Sequence, residues 1–248
     1  SLQGMEWVVP QSVITESHSS RGNMRGGSGA GAFVVSDHDL DGYSSSAIPT
    51  QVESFLERAV DGDTFDGTGG KGEQTKPFAI QVSFPDPHAP NEVPRKYAEM
   101  VPPESINLPP QRKGEFDDNS SPERNKVLYQ MLKLEGMDEE RIRNIVSTYL
   151  AMTRFVDDGI GRILDKLDEL GIRDNTIIVF TADHGDFAGE HNMFGQGGVY
   201  YDSLVRVPYI VSWPGGGVPQ GKVDDSPVST IDLLPTILQL SGVADFTA

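Results

Sequence analysis

Ionisable side chains crowd together directly after a run of hydrocarbon residues in the segment 177–198, which reads IIVFTADHGDFAGEHNMFGQGG. An apolar strand that ends in such groups is how α/β proteins place ligands at the edge of a sheet. Asp183 and His184 offer one oxygen and one nitrogen ligand side by side. Neighbouring residues of a continuing strand point to opposite faces, so the two could bind one ion only if the chain turns here. Gly185 permits such a turn.

The pair alone does not establish a metal site, because a divalent cation needs at least one or two further ligands. From the spacing alone, a simpler interpretation is slightly favoured, in which Asp183 caps a loop and His184 is exposed. Glu190 and His191 follow in the same segment. They either serve the same site or only solvate the loop.

His88 is a second candidate for chemistry. It lies in DPHAP, residues 86–90, where prolines on both sides stiffen the loop and hold the imidazole in place. Proline-framed histidines also occur in ordinary loops, so this feature is weak by itself. His88 follows an apolar segment, as His184 does, and the ends of two strands of one sheet would bring both histidines to the same edge.

The pattern of apolar residues predicts the elements that carry these side chains. Apolar strands that alternate with helices indicate an α/β fold, in which a mainly parallel sheet is sandwiched by helices. Residues 1–47 are predicted to be an irregular segment, and residues 91–116 a long irregular connection. The predicted strands are 77–84, 176–183 and 207–213, and the predicted helices are 48–60, 138–170 with Gly171 as its cap, and 231–240 closed by Gly242.

Composition excludes several classes of function. Twenty basic and 37 acidic residues give a net charge of 20 − 37 = −17, which repels nucleic acid. The chain has no cysteine, so it holds no disulfide, thiolate zinc site or cysteine nucleophile. No apolar run approaches the roughly 18–20 residues that span a bilayer, so no membrane span is expected.

Four stretches, taken in order, resemble the sulfatase family of the alkaline-phosphatase-like superfamily. The likeness runs in register from about residue 48 to the end. It implies an α/β, alkaline-phosphatase/sulfatase-like fold that is incomplete here, with residues 1–248 forming one partial catalytic domain and residues 48–248 its middle and C-terminal part. The four stretches are the His-x-Pro segment 77–90, the helix, strand and Asp-His-Gly motif 146–191, and the segments 197–215 and 228–243.

The resemblance implies roles for particular residues. Asp183 and His184 would be two ligands of a divalent cation, which is usually calcium in sulfatases. Manganese and zinc are alternatives, since some related phosphonate and phosphodiester hydrolases use them. His88 would hydrogen-bond a sulfate oxygen or assist the leaving alcohol. The substrate would be a small-molecule or glycan sulfate ester, hydrolysed with the help of the metal.

The nucleophile of the family is missing from this sequence. It is a formylglycine made from the first residue of a Cys/Ser-x-Pro-x-Arg motif near the start of the domain. SSPER, residues 120–124, has Ser120, Pro122 and Arg124 at the matching spacing, but it lies far downstream, and the match is interpreted as coincidence. The formylglycine is therefore expected in an N-terminal part outside this chain, and the isolated chain is expected to be inactive.

Position 196 is a second departure. The family usually has a lysine there to bind sulfate, whereas this sequence has Gln196. Glutamine donates a hydrogen bond but brings no charge, so affinity for the anion should fall.

Two alternatives to a sulfatase therefore stay open. One is a phosphonate monoester or phosphodiester hydrolase of the same superfamily, and the other is a non-catalytic relative that binds sulfated glycans. Periplasmic, secreted and lysosomal compartments are usual for the family, but the residues decide neither localisation nor oligomeric state.

Overall fold

The computed structural model describes residues 33–36, 43–62, 77–89, 91–117 and 121–243. Most of the predicted irregular segment 1–47, namely residues 1–32 and 37–42, lies outside these ranges. In chain order, the described strands and α-helices are β1 (Phe33–Ser36), α1 (Ser44–Val60), β2 (Asn91–Pro94), α2 (Arg95–Ala98), α3 (Glu123–Leu132), α4 (Glu139–Glu169), β3 (Ile178–Thr181), β4 (Phe187–Ala188), β5 (Phe194–Gly195), α5 (Asp202–Val205), β6 (Tyr209–Ser212) and α6 (Leu233–Leu240).

The long helix α4 organises the core, as its periodicity predicts. Asp138 caps its N-terminus by accepting a hydrogen bond from the Arg141 amide at 2.7 Å, and Gly171 follows its C-terminus with φ of +66°. The apolar face of α4 contributes to three separate hydrophobic clusters along its length. Its buried apolar members are Ile145 in one cluster, Ala151, Met152 and Phe155 in the next, and Leu167 in the third.

Helix α1 packs against the C-terminal half of α4. Gly159 of α4 lies against Pro49 and Phe84, and a side chain at this position would press on both. Ion pairs across the outer edge join Arg162 to Glu53 at 2.7 Å and Lys166 to Glu57 at 3.0 Å. The helix begins at Ser44, four residues before the predicted start at 48. Residues 44–47 are therefore helical and not irregular as predicted.

The segment 77–84 carries the predicted apolar alternation but is not among the strands. It has a single bridge residue at Ala79, and Phe78, Ile80, Val82 and Phe84 all pack on the cluster between α1 and α4. A strand also needs a neighbour to share its backbone hydrogen bonds. The periodicity therefore predicted which side chains turn inward, but not the pairing.

The described strands form three two-stranded sheets, of which one is parallel. β1 pairs with β2 in parallel, whereas β3 pairs with β6 and β4 pairs with β5 in antiparallel fashion. The described strands thus include one parallel pair, and two pairs differ from the mainly parallel sheet that the sequence predicts. A parallel pair requires a crossover, usually a helix of several turns. The connection from β3 to β6 holds only a short hairpin and the one-turn helix α5, so the chain returns antiparallel.

Residues 91–116 are more ordered than predicted. They contain β2, α2 and a 3₁₀ turn at Pro103–Ser105. Polar side chains of α4 fasten this stretch, since Ser147 donates to the Val101 carbonyl at 2.5 Å and Arg143 donates to the Ile106 carbonyl. Sequence periodicity does not reveal such side chain-to-backbone bonds.

The C-terminal helix is confirmed with a small shift. A 3₁₀ turn, Thr230–Asp232, leads into α6, and Ser229 and Asp232 form a reciprocal capping box. Gly242 follows α6 with φ of +68°. Within the described ranges, no helix combines the length and the apolarity required to cross a bilayer.

Candidate active site

Asp183 and His184 lie just beyond the end of β3 and present two ligand atoms to solvent. The side chain of Asp183 is 87% exposed and that of His184 is 43% exposed. Asp183 Oδ1 accepts a hydrogen bond from the His184 amide at 2.9 Å. His184 Nδ1 lies 2.9 Å from the Gly185 carbonyl oxygen. Because a carbonyl only accepts, Nδ1 carries the proton, and Nε2 of the neutral ring keeps its lone pair.

The two remaining atoms suit a divalent cation. Asp183 Oδ2 and His184 Nε2 lie 3.7 Å apart. Two ligand atoms that each lie about 2.0–2.6 Å from one ion can have this separation. Among the described residues, no group of three or more His, Cys, Asp or Glu side chains could hold a metal. Asp183 and His184 therefore fit a cation as part of a ligand set and do not complete one.

Gly185 has a different role from the one expected. Its amide donates to the Leu204 carbonyl at 2.8 Å, and a side chain on it would collide with the Ser203 carbonyl. Its φ is not in the left-handed region. Close approach to the α5 turn, rather than a special turn conformation, therefore requires glycine here. The two ligand atoms are instead brought to one side by the Asp183 side chain, which folds back onto the next amide.

His88 presents its ring in the same manner. It is exposed, its amide donates to the Pro85 carbonyl at 3.1 Å, and its Nδ1 lies 2.6 Å from the Ala89 carbonyl oxygen. Nδ1 is thus the donor towards the backbone, and Nε2 is free to face a substrate. With Nδ1 already protonated, Nε2 can donate a hydrogen bond or a proton only from the imidazolium form.

Asp186 lies near these residues, although the sequence analysis did not assign it to the site. It is half-buried, and its Oδ1 is buried without a hydrogen-bond partner among the described residues. Burial raises the pKa of Asp186 to about 6; His184 and His88 oppose this rise, and Asp183 adds to it. Asp183, His184 and His88 therefore all lie close enough to Asp186 to affect its charge. Its position three residues after Asp183 could have suggested from the sequence that it belongs to the site.

The β4–β5 hairpin places Gln196 next to Asp186 in the fold. Phe187 pairs with Gly195 in the antiparallel ladder. Asp186 immediately precedes Phe187, and Gln196 immediately follows Gly195, so both leave the same end of the hairpin. Gln196 is half-buried. The ladder thus places Gln196 beside Asp186 along the backbone.

Helix α3, which the sequence analysis did not predict, supports the segment that carries Gln196. Leu128 lies against Gly197, and a side chain on that glycine would collide with it. Arg124 Nε donates to the Gly198 carbonyl. Arg124 thus has a structural partner in the segment that carries Gln196. Ser120 lies outside the described residues, and the interpretation of SSPER as a coincidental match stays a prediction.

His191 serves the loop rather than the ligand pair. Its Nδ1 lies 2.7 Å from Glu115 Oε1, and its ring packs on Tyr201 with a centroid distance of 4.2 Å. Tyr201 accepts a hydrogen bond from Asn125 Nδ2 at 3.1 Å. Gln111 Nε2 donates to the Gly189 carbonyl at 2.8 Å beside this cluster. These contacts hold the loop 109–117 against the segment 187–201.

A comparison of the whole sequence with protein families identifies the chain. The sequence model of the family described as Sulfatase matches residues 12–243. The chain belongs to the sulfatase family. This is a family of hydrolases in the alkaline-phosphatase-like superfamily, and its members generally use a divalent cation and a formylglycine.

Individual relatives support this assignment. An ulvan-active sulfatase from Formosa agariphila is 32% identical over 203 residues, which cover 81% of this chain and 33% of the relative. An arylsulfatase from Clostridium perfringens is 31% identical over 174 residues, which cover 69% of this chain and 35% of the relative. The chain therefore spans about a third of the length of these curated relatives.

Solved structures confirm the fold class. The phosphonate monoester hydrolase of Agrobacterium radiobacter matches with a TM-score of 0.68 and 24% identity, over 89% of this chain and 43% of that chain. This likeness supports the fold alone. The α/β, sulfatase-like architecture expected from the sequence is thereby confirmed, even though the described strands pair mostly antiparallel.

Proposed function

We propose that the whole protein is a sulfuric ester hydrolase and that this chain supplies part of its active site. The observation that carries the proposal is the pairing of Asp183 Oδ2 with His184 Nε2 at 3.7 Å, with the other polar atom of each side chain bonded to the neighbouring backbone. Two such atoms can share one cation, which would neutralise the non-bridging oxygens of a sulfate group. We take calcium as the ion, with manganese and zinc as alternatives.

The remaining roles fall to residues around Asp186. His88 in its imidazolium form donates from Nε2, first to a sulfate oxygen and then to the oxygen of the departing alcohol. Gln196 donates a neutral hydrogen bond to the sulfate. The formylglycine nucleophile comes from a part of the protein outside this chain, which has no cysteine.

We propose a sulfated glycan as the substrate class. The ulvan-active relative from Formosa agariphila acts, by its name, on a polysaccharide, and it covers most of this chain. Hydrolysis of a glycan sulfate releases a sugar alcohol, which is a poor leaving group as an alkoxide. Proton donation by His88 would therefore matter more than it does for an aryl sulfate.

A phosphonate monoester hydrolase is the second candidate. The absence of a charged side chain at Gln196 supports it. A non-catalytic, glycan-binding relative is a third possibility, which the exposed and unobstructed ligand atoms of Asp183 and His184 argue against.

One substrate panel separates these candidates. The whole protein, with its formylglycine verified by mass spectrometry, is assayed on 4-nitrophenyl sulfate, 4-nitrophenyl phenylphosphonate and bis(4-nitrophenyl) phosphate. The leaving group is the same in all three, so the ratio of kcat/KM values reports only the transferred group. We expect the sulfate to be preferred. A preference for the phosphonate would favour the second candidate, and no hydrolysis of any substrate would favour the third.

A further inference from the structure

A buried carboxylate lies two residues before His88, and the proposed chemistry does not use it. Asp86 is only 8% exposed. Burial of an ionised carboxylate is unfavourable unless hydrogen bonds compensate for the lost water. One such bond comes from Ser45, which is fully buried and whose Oγ donates to Asp86 Oδ2. Ser45 lies in the first turn of α1, 41 residues away in sequence.

The other end of the same loop is also fastened in the core. Asn91 is 2% exposed, and its Nδ2 donates to the Pro87 carbonyl at 3.3 Å. The same nitrogen lies 3.6 Å from the Met152 sulfur of α4. His88 thus lies between two buried polar residues, Asp86, which contacts α1, and Asn91, which contacts α4. The ring of His88 itself remains exposed.

Stability alone does not account for a carboxylate at position 86. Buried ionic groups are often no more stabilising than apolar side chains of similar volume. A carboxylate is, however, favourable at the N-terminus of a helix, where amides lack partners. Helix α1 has no side-chain cap from Tyr43, the residue that precedes it. Asp86 therefore lies at the partly positive N-terminal turn of α1, and the hydrogen bond from Ser45 ties the loop to this turn.

We propose that Asp86, held by Ser45, is a positioning residue for His88. It fixes the backbone of the loop so that the His88 ring keeps its Nδ1 on the Ala89 carbonyl and its Nε2 towards the leaving oxygen. The inference rests on the proposed function, because it assigns Asp86 to the proton-donating step of the same site. Loss of Asp86 then impairs the step that needs proton donation more than the binding of the sulfate.

The test uses aryl sulfates whose phenols differ in pKa, with the whole protein and its Asp86→Asn and Ser45→Ala variants. The value of kcat/KM reports the steps up to cleavage of the ester bond. Loss of a proton donor therefore lowers kcat/KM most for esters of phenols with a high pKa, which are poor leaving groups. We expect kcat/KM for phenyl sulfate to fall about tenfold or more in both variants, and for 4-nitrophenyl sulfate to fall less than about threefold. Asp157→Asn, an exposed carboxylate on α4 that pairs with Arg154 at 3.5 Å, is the matched control and should change neither value.

A double-mutant cycle tests whether Asp86 acts through His88. In the His88→Ala background, Asp86→Asn should cause no further loss on phenyl sulfate, since the donor that it positions is gone. Additive losses would overturn the proposal. So would an equal loss on all leaving groups together with a lowered Tm, because that result shows a structural role only.

A readout without turnover separates this inference from the proposed function. In protein labelled with ¹⁵N-histidine, Asp86→Asn should shift and broaden the His88 ring signals and leave those of His191 unchanged. If the wild-type protein hydrolyses no sulfate ester, the proposed function fails, and the ring signals still decide the positioning. Unchanged His88 signals in a folded Asp86→Asn variant would overturn it.

Discussion

His88 and His184 use their ring nitrogens in the same way. In each, Nδ1 faces the carbonyl oxygen of the following residue, at 2.6 Å for His88 and 2.9 Å for His184. This local bond selects one tautomer and leaves Nε2 for an external partner. For His184 the proposed partner is a cation, and for His88 it is the substrate. A single residue type thus supplies two roles because its surroundings differ.

Position 196 gives a direct test at the scale of one residue. We predict that Gln196→Lys in the whole protein lowers KM for a sulfate ester by about tenfold, because a hydrogen bond from a charged donor contributes about 1.5–3 kcal/mol. The measurement is steady-state kinetics together with competitive inhibition by inorganic sulfate. Gln196→Met, which is uncharged and of similar size, should not lower KM. If the lysine variant binds sulfate no better than wild type, the proposed contact between residue 196 and the anion is wrong.

The sequence predicted some of these residues and missed others for physical reasons. Asp183 and His184 were identifiable because an apolar strand precedes them and a family motif includes them. Asp186 belongs to the same motif region, but its role depends on burial and on the nearby His88, which lies almost a hundred residues upstream in sequence. Asp86 was invisible as an anchor, because its partner, Ser45, lies in a serine-rich stretch that reads as loop.

At the scale of elements, the loop 109–117 is held by one cluster of side chains. Glu115 and His191 form its centre, with Tyr201 packed against the imidazole ring. Both His191 and Asn192 adopt left-handed backbone conformations, with φ of +57° and +56°. A histidine there is unfavourable in the backbone unless contacts such as these compensate. The cluster is therefore expected to hold the segment that leads to Gln196.

We predict that Glu115→Ala lowers the free energy of unfolding by about 1–3 kcal/mol, because it leaves a partly buried imidazole without its partner. Amide hydrogen exchange should speed up in residues 109–117 and 187–201. The control is Asp202→Ala, which removes an exposed ion pair with Arg206 at 3.6 Å and should leave stability nearly unchanged. Equal effects of the two substitutions would contradict the role given to the Glu115–His191 pair.

The elements themselves were predictable where periodicity was strong. Helix α4 was predicted to within one residue at each end, because its apolar stripe is long and both ends have capping residues. Strands β3 and β6 were also predicted. Their antiparallel pairing was not, because it depends on the path of the chain between them. Helix α3 was missed because it buries only Leu128 and therefore has little apolar pattern.

In the whole molecule, the described residues form several hydrophobic clusters, and the ligand atoms of Asp183 and His184 are exposed. Helix α4 links three hydrophobic clusters, whereas α6 buries none of its residues. The chain covers about a third of its curated relatives. The expectation that the isolated chain shows no turnover stays a prediction, and the incomplete ligand set among the described residues supports it.

The net charge of −17 bears on how an anionic substrate binds. Such a surface repels sulfated glycans at long range, with a repulsion that salt screens. A bound cation at Asp183 and His184 would reverse the field locally. The proposed activity therefore depends more on the bound cation than on the identity of the glycan.

The most direct test is the rate of inorganic sulfate release by the whole protein after chelation and stepwise return of calcium. Wild type should lose its activity on chelation and recover it with calcium. Asp183→Asn should need a higher calcium concentration or fail to recover, and Asp157→Asn should behave as wild type. Sulfate release that persists undiminished after complete removal of divalent cations, or an Asp183→Asn variant with unchanged calcium dependence, would contradict the proposed role of the cation.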